Sequence, residues 1–250
     1  MSALRAFVLF VLTVPALAAA ESFEDAWAKI LRARVRDDGE VAYRSLQRDD
    51  GALLQEVLRG FAGTIPKPLE HDAAVAFWIN AYHAMVVAAV LHGESPETVS
   101  SRARMYHWFG QKVAGVRRTL DELREVLNDY ASADPRIHLA ISNGARGSPA
   151  LAAEPYTADH LDAQLAAAAR RFVNDPERYR ADPADGRIEL SRLFAWYRTD
   201  FEHEAGSLVE FLRPLATRDD LLEVLGVPDL RVRYHPFDWR LNAAPGERPK

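Results

Sequence analysis

Serine, histidine and carboxylate are the residue types this chain offers for nucleophilic chemistry, because its 250 residues include no cysteine. The densest group follows Asp134-Pro135, where Ile137 to Ser142 runs into Asn143-Gly144-Ala145-Arg146-Gly147-Ser148-Pro149. Ile137, Leu139 and Ile141 alternate with His138, Ala140 and Ser142, which predicts a strand carrying His138 on its second face. A glycine-bearing loop at a strand end exposes backbone donors and side chains. Ser148 is the candidate nucleophile, His138 its base, and an acidic residue such as Asp238 the group that orients the imidazole. His138 to Ser142 spans about 13 Å at roughly 3.3 Å per residue, so Ser148 meets the ring only if the loop doubles back. Ser148-Pro149 also has the pattern of a helix N-cap with proline at N1, Ala150 to Glu154 forming the ensuing turn, and that reading is preferred. For His138 a structural role is likewise preferred.

Asn80 and His83 lie one helical turn apart and could hold a substrate or a backbone carbonyl, with core hydrogen bonding as the default. Arg146 between two glycines could meet an anion, although no phosphate-loop pattern surrounds it. The eight histidines are scattered without HExxH or His-x-His spacing, so neither a metal nor a cofactor is expected.

The elements that must position these groups are mainly helical. Ser22 caps a helix over 22–35 with Phe23, Trp27, Ile30 and Leu31 on one side. A turn at 37–39 leads to an extended piece through Tyr43, a second helix near 49–61 and a Pro66/Pro68 connector. From Ala73 to Leu91, 17 of 19 residues are apolar, long enough to span a bilayer, but Asn80 and His83 in the middle favour a buried central helix near 72–92. A tight hairpin or a bent strand is predicted at 112–117, helices at 120–130 and from Thr157 to 173, and a strand at 187–190. Ser191 caps the helix carrying Phe194, Trp196 and Tyr197, two more helices follow, and a strand at 230–234 precedes a tail expected to fray. The fold class is α+β, a mainly helical single domain over 21–250 with a small sheet of short strands.

Residues 1–20 form a secretory signal: Arg5, an apolar run from Ala6 to Leu17, and Ala18-Ala19-Ala20 as a cleavage site before Glu21. A periplasmic or secreted location is expected, with no membrane attachment after cleavage. A net charge of −5 gives no basic footprint for nucleic acid.

Three motifs in order resemble the family known as domain of unknown function 547. Residues 76–84 (AFWINAYHA) are similar to its FWINAYNA helix, 134–140 (DPRIHLA) to its DPRIHFA strand, and 237–242 (FDWRLN) to its terminal YDWxLN. The resemblance implies a pocket suspected of papain- or transglutaminase-like thiol chemistry, lined by Trp78, Asn80, Tyr82, His83, Asn143, Gly144, Arg146 and Trp239. This chain departs at the reactive positions. Asn143 and Ser148 stand where the family has cysteines, Arg124 and Glu125 where it has Glu and His, and His83 where it usually has Asn. A hydroxyl needs a stronger base than a thiol does. The expectation is therefore a catalytically degenerate module that binds a small molecule, a peptide or a periplasmic protein. The alternatives are a hydrolase or acyltransferase built on Ser148 and His138, and an assembly protein without a pocket.

Overall fold

The computed structural model describes residues 22–66 and 70–249. The segment expected to be a signal, the cleavage site expected before Glu21, and Pro68 lie outside them. The fold is α+β and mainly helical, with two small sheets of short strands.

Helix α1 (Phe23–Arg34) begins where Ser22 Oγ accepts the Asp25 N–H at 3.1 Å. Helices α2 (Tyr43–Asp49) and α3 (Gly51–Gly63) replace the single helix expected near 49–61, and Tyr43 starts a helix instead of ending an extended piece. Helix α4 (His71–Leu91) buries 16 of its 21 residues, which is why its apolar run has no polar face. It is long and apolar enough to cross a membrane, yet it forms the centre of the core.

Helix α5 (Val99–Ala103) continues into a π turn over Arg104–Trp108. The hairpin of β1 (Gly110–Val113) and β2 (Val116–Thr119) follows, antiparallel, with Ala114 and Gly115 both at positive φ as its two-residue turn requires. Thr119 and Glu122 close a capping box on α6 (Leu120–Ala131).

Residues 137–142 are not a strand. Asp134 accepts the Arg136 N–H, Pro135 supplies the first-turn φ, and a 3₁₀ turn runs over Pro135–Leu139. All six residues from Ile137 to Ser142 are at most 3% exposed, so both halves of the alternation face protein. Period-two patterning marks a strand only when one face is wet.

Helix α7 (Leu161–Val173) starts later than expected, after a short 3₁₀ turn (Ala158–His160). Thr157 makes no side-chain capping bond; its hydroxyl meets His160 Nδ1. Strands β3 (Tyr179–Asp182), β4 (Arg187–Ser191) and β5 (Arg231–His235) form the second sheet, β3 antiparallel and β5 parallel to β4. A parallel neighbour demands a long crossover. It is made by α8 (Arg192–Trp196), capped by Ser191, then α9 (Arg198–Ala205), α10 (Leu208–Leu212) and α11 (Asp219–Leu225), one helix more than expected after α8.

Two apolar clusters result, one around α4 and one of α7, α8, α9 and β4 residues. The 3₁₀ turn lies at their seam, Ile137 in the first and Leu139 in the second. His138 is held between them.

The tail does not fray over the described residues. It straps the first cluster: Asn242 O accepts Val41 N–H at 2.9 Å, and Asn242 N–H donates to Gly144 O at 2.9 Å. Tyr43 OH donates to Asn242 Oδ1 at 2.7 Å in the interior.

Candidate functional site

The loop of residues 142–149 is pinned from both sides. Gly144, at φ +84°, carries no Cβ toward Val86, and Gly147 leaves room for the Asp238 backbone, which a Cβ would approach to 2.8 Å. Arg146 N–H donates to Arg240 O and Gly147 N–H to Asp238 O. Asn143 Oδ1 accepts the Ala145 N–H at 3.0 Å, an Asx turn that shapes the bend.

Within that loop Ser148 is 3% exposed and its hydroxyl is committed. Oγ donates to Ala145 O at 2.7 Å and accepts the Asn143 N–H at 3.3 Å, with Ser142 Oγ at 3.5 Å. No helix follows Pro149, so Ser148 closes the loop behind it and does not cap a helix ahead. This is a correction to the N-cap reading.

His138 has a different partner. Its Nε2 lies 2.7 Å from Asp200 Oδ2 on α9, and its ring stacks on Tyr197 with centroids 3.7 Å apart. Burial lowers its pKa below the usual 6.5, the Asp200 bond opposing, so at pH 7 the neutral ring donates Nε2–H to Asp200. Nδ1 is buried and has no hydrogen-bond partner. Asp238 is not the orienting acid. It forms a salt bridge with Arg240, whose hydrogen bond holds the carboxylate pKa below the usual range.

The residues expected to line one pocket are distributed. Tyr82 and His83 are fully packed in α4, where His83 Nε2 accepts the Ser142 N–H at 3.0 Å. Tyr82 OH accepts from Arg124 at 2.6 Å, and Trp78 lies under Arg118. Asn80 holds the Tyr156 backbone through both amide groups, at 2.7 and 3.0 Å, beside an apolar cavity of about 440 Å³ that includes Phe23, Phe61 and Phe77. Trp239 packs on Phe237 and Trp196 with Arg102 over its ring. Asn143 and Gly144 lie buried or in the loop turn, as above. Arg146 pairs with Glu40.

Arg146 and Ser148 do share a cavity, of about 410 Å³, between the 38–40 turn, the serine loop and residues 175–178. Its lining sets the carboxylates of Asp38, Glu40, Asp175 and Glu177 against the guanidinium groups of Arg146 and Arg178. Arg146 meets Glu40 and Arg178 meets Asp175, while Asp38 and Glu177 have no ion-pair partner among the described residues. His138 does not line this cavity. Among the described residues no three His, Asp or Glu side chains are placed to hold a metal ion.

Residues 66–173 match the model of a family described as Protein of unknown function, DUF547. Over that stretch the chain is a DUF547 member. No curated protein and no solved structure matches the chain. The DUF547 segment contains α4, the 3₁₀ turn with His138, the serine loop and α7. Tyr197, Asp200 and the 237–242 motif fall outside it, so the His138–Asp200 pair joins the DUF547 segment to the crossover helices. Asp200 was missed in the sequence because it sits 62 residues from His138 within an ordinary charged helix. Its spacing of three from Tyr197 is the signal that one face of a helix presents both groups to the same ring.

Proposed function

We propose that this DUF547 protein is exported and binds a small polar ligand without forming a covalent intermediate. One observation carries the reading. The Ser148 hydroxyl is spent on Ala145 O and Asn143 N–H, while the imidazole that would activate it gives Nε2 to Asp200 and keeps Nδ1 without a hydroxyl partner. A nucleophile needs a base within about 2.6–3.2 Å, and a serine lacking one is a poor nucleophile at neutral pH. The signal-like residues 1–20 support export.

The ligand site in this reading is the cavity beside Ser148. Its volume suits a small molecule, and the excess of carboxylates favours a ligand bearing a cationic group. L-lysine methyl ester serves as probe, since it offers both the charge and a cleavable acyl group. At constant ionic strength it should raise the melting temperature saturably, and the ester should disappear no faster than in buffer alone. Ester loss accelerated by the wild type and not by Ser148→Ala would establish a catalytic serine. Absence of a saturable shift would remove this cavity as the ligand site.

A further inference from the structure

Most arginines of this chain meet carboxylates, but two that flank α4 do not. Arg124 of α6 donates Nη1 to Tyr197 OH at 2.8 Å and Nη2 to Tyr82 OH at 2.6 Å, and its guanidinium carbon lies 5.2 Å from the Tyr82 ring centroid. One turn earlier on α4, the Arg118 guanidinium of β2 lies 5.6 Å from the Trp78 ring, with Nε buried and without a hydrogen-bond partner. Neither arginine forms an ion pair among the described residues. The neighbouring carboxylates are engaged elsewhere, Asp121 with His107 and Asp200 with His138.

A partly buried guanidinium has lost part of its hydration and normally recovers it from a carboxylate or phosphate. Here the two acceptors on Arg124 are neutral phenols, which fix the direction of the side chain without cancelling its charge. A guanidinium carries five N–H donors, and the tyrosines take two of them. Arg118 and Arg124 lie against Trp78 and Tyr82, which stand four residues apart on one face of α4, so that face carries both cations. Both residues keep part of their surface exposed.

We propose that Arg118 and Arg124, seated on Trp78 and Tyr82, form a binding site for an oxyanion, a carboxylate or phosphate group of a ligand. The site is separate from the cavity beside Ser148 and is independent of the reading given for that cavity. Arg124 supplies the bidentate fork and Tyr82 and Tyr197 hold its orientation.

Isothermal titration of the full chain with inorganic phosphate and, separately, with sodium acetate, against sodium chloride at matched ionic strength, tests this. Saturable one-site binding of at least one probe is expected, with affinity falling tenfold or more in Arg124→Gln and less in Arg124→Lys, which keeps the charge but loses the fork. Preference between the two probes identifies the source of the oxyanion. Arg118→Gln provides the second variant should Arg124→Gln not fold, and a similar loss is expected. Equal binding by wild type and the folded glutamine variants, or no binding of either probe above the chloride control, would overturn the proposal.

Discussion

A chain ending at His235 is expected not to fold cooperatively. The segment that follows buries Phe237, Leu241, Ala243 and Ala244 and supplies the acceptors for Val41 N–H and Tyr43 OH. Burying each large apolar side chain is worth about 1.5–3 kcal/mol. Each buried donor stripped of its acceptor costs about 1–3 kcal/mol more. Those losses reach the roughly 5–15 kcal/mol that stabilises a whole domain. Asn242→Leu gives the graded version: it keeps side-chain bulk, deprives Tyr43 OH of its partner, and should cost about 1–3 kcal/mol. Thermal melts followed by far-UV circular dichroism check both. A truncated chain that melts cooperatively within a few degrees of the full chain would show that the strap is dispensable.

The second large effect is acid lability through His83. Its Nε2 accepts the Ser142 N–H, and its other nitrogen faces the Ala140 carbonyl, so the neutral ring satisfies both neighbours. Protonating Nε2 would set one N–H against another. Burial, against the smaller effect of the Ala140 carbonyl, pushes the pKa down to about 3 from 6.5. Between those values the unfolded chain holds a proton that the folded chain does not, so the stabilisation is complete above about pH 6.5 and is lost as pH falls toward 3. The slope approaches about 1.4 kcal/mol per pH unit for this one proton. His83→Asn, which cannot titrate, should flatten the fall between pH 6.5 and 5 by about that slope in urea unfolding, whatever its effect at pH 7. Buried His138 adds to the fall in both proteins, since its pKa is also lowered. Parallel stability curves for wild type and His83→Asn over that window would contradict the assignment.

Local signals carried the elements whose stabilisation is local. Ser22 and Ser191 announce helix starts by their own hydrogen bonds, and the apolar run of α4 announces burial by its composition. Residues 137–142 misled because a segment enclosed on every side shows alternation that no sheet surface imposes, while Asp134-Pro135 already held the 3₁₀ signal. The order of the tail was not legible, because it depends on a strap between Val41 and Gly144 whose partners are two hundred and one hundred residues away in sequence, roughly. The same limit hid the site. Ser148 and His138 are near in sequence, yet the doubled-back loop pairs the serine with its own backbone, and the acid behind His138 comes from α9 in place of Asp238. Arg124 read as the loss of a family carboxylate. Its contacts with Tyr82 and Tyr197 were invisible until three elements were set side by side.

In the reading proposed here the Ser148 hydroxyl clamps its own loop and attacks nothing. Intact-mass measurement after exposure to a fluorophosphonate probe tests it directly, with Ser148→Ala as control. An unlabelled wild-type chain is expected, and for Ser148→Ala a stability loss of about 1–3 kcal/mol from the unsatisfied loop groups. A single stoichiometric adduct on the wild type, absent from a folded Ser148→Ala chain, would contradict it and make this DUF547 protein a serine enzyme.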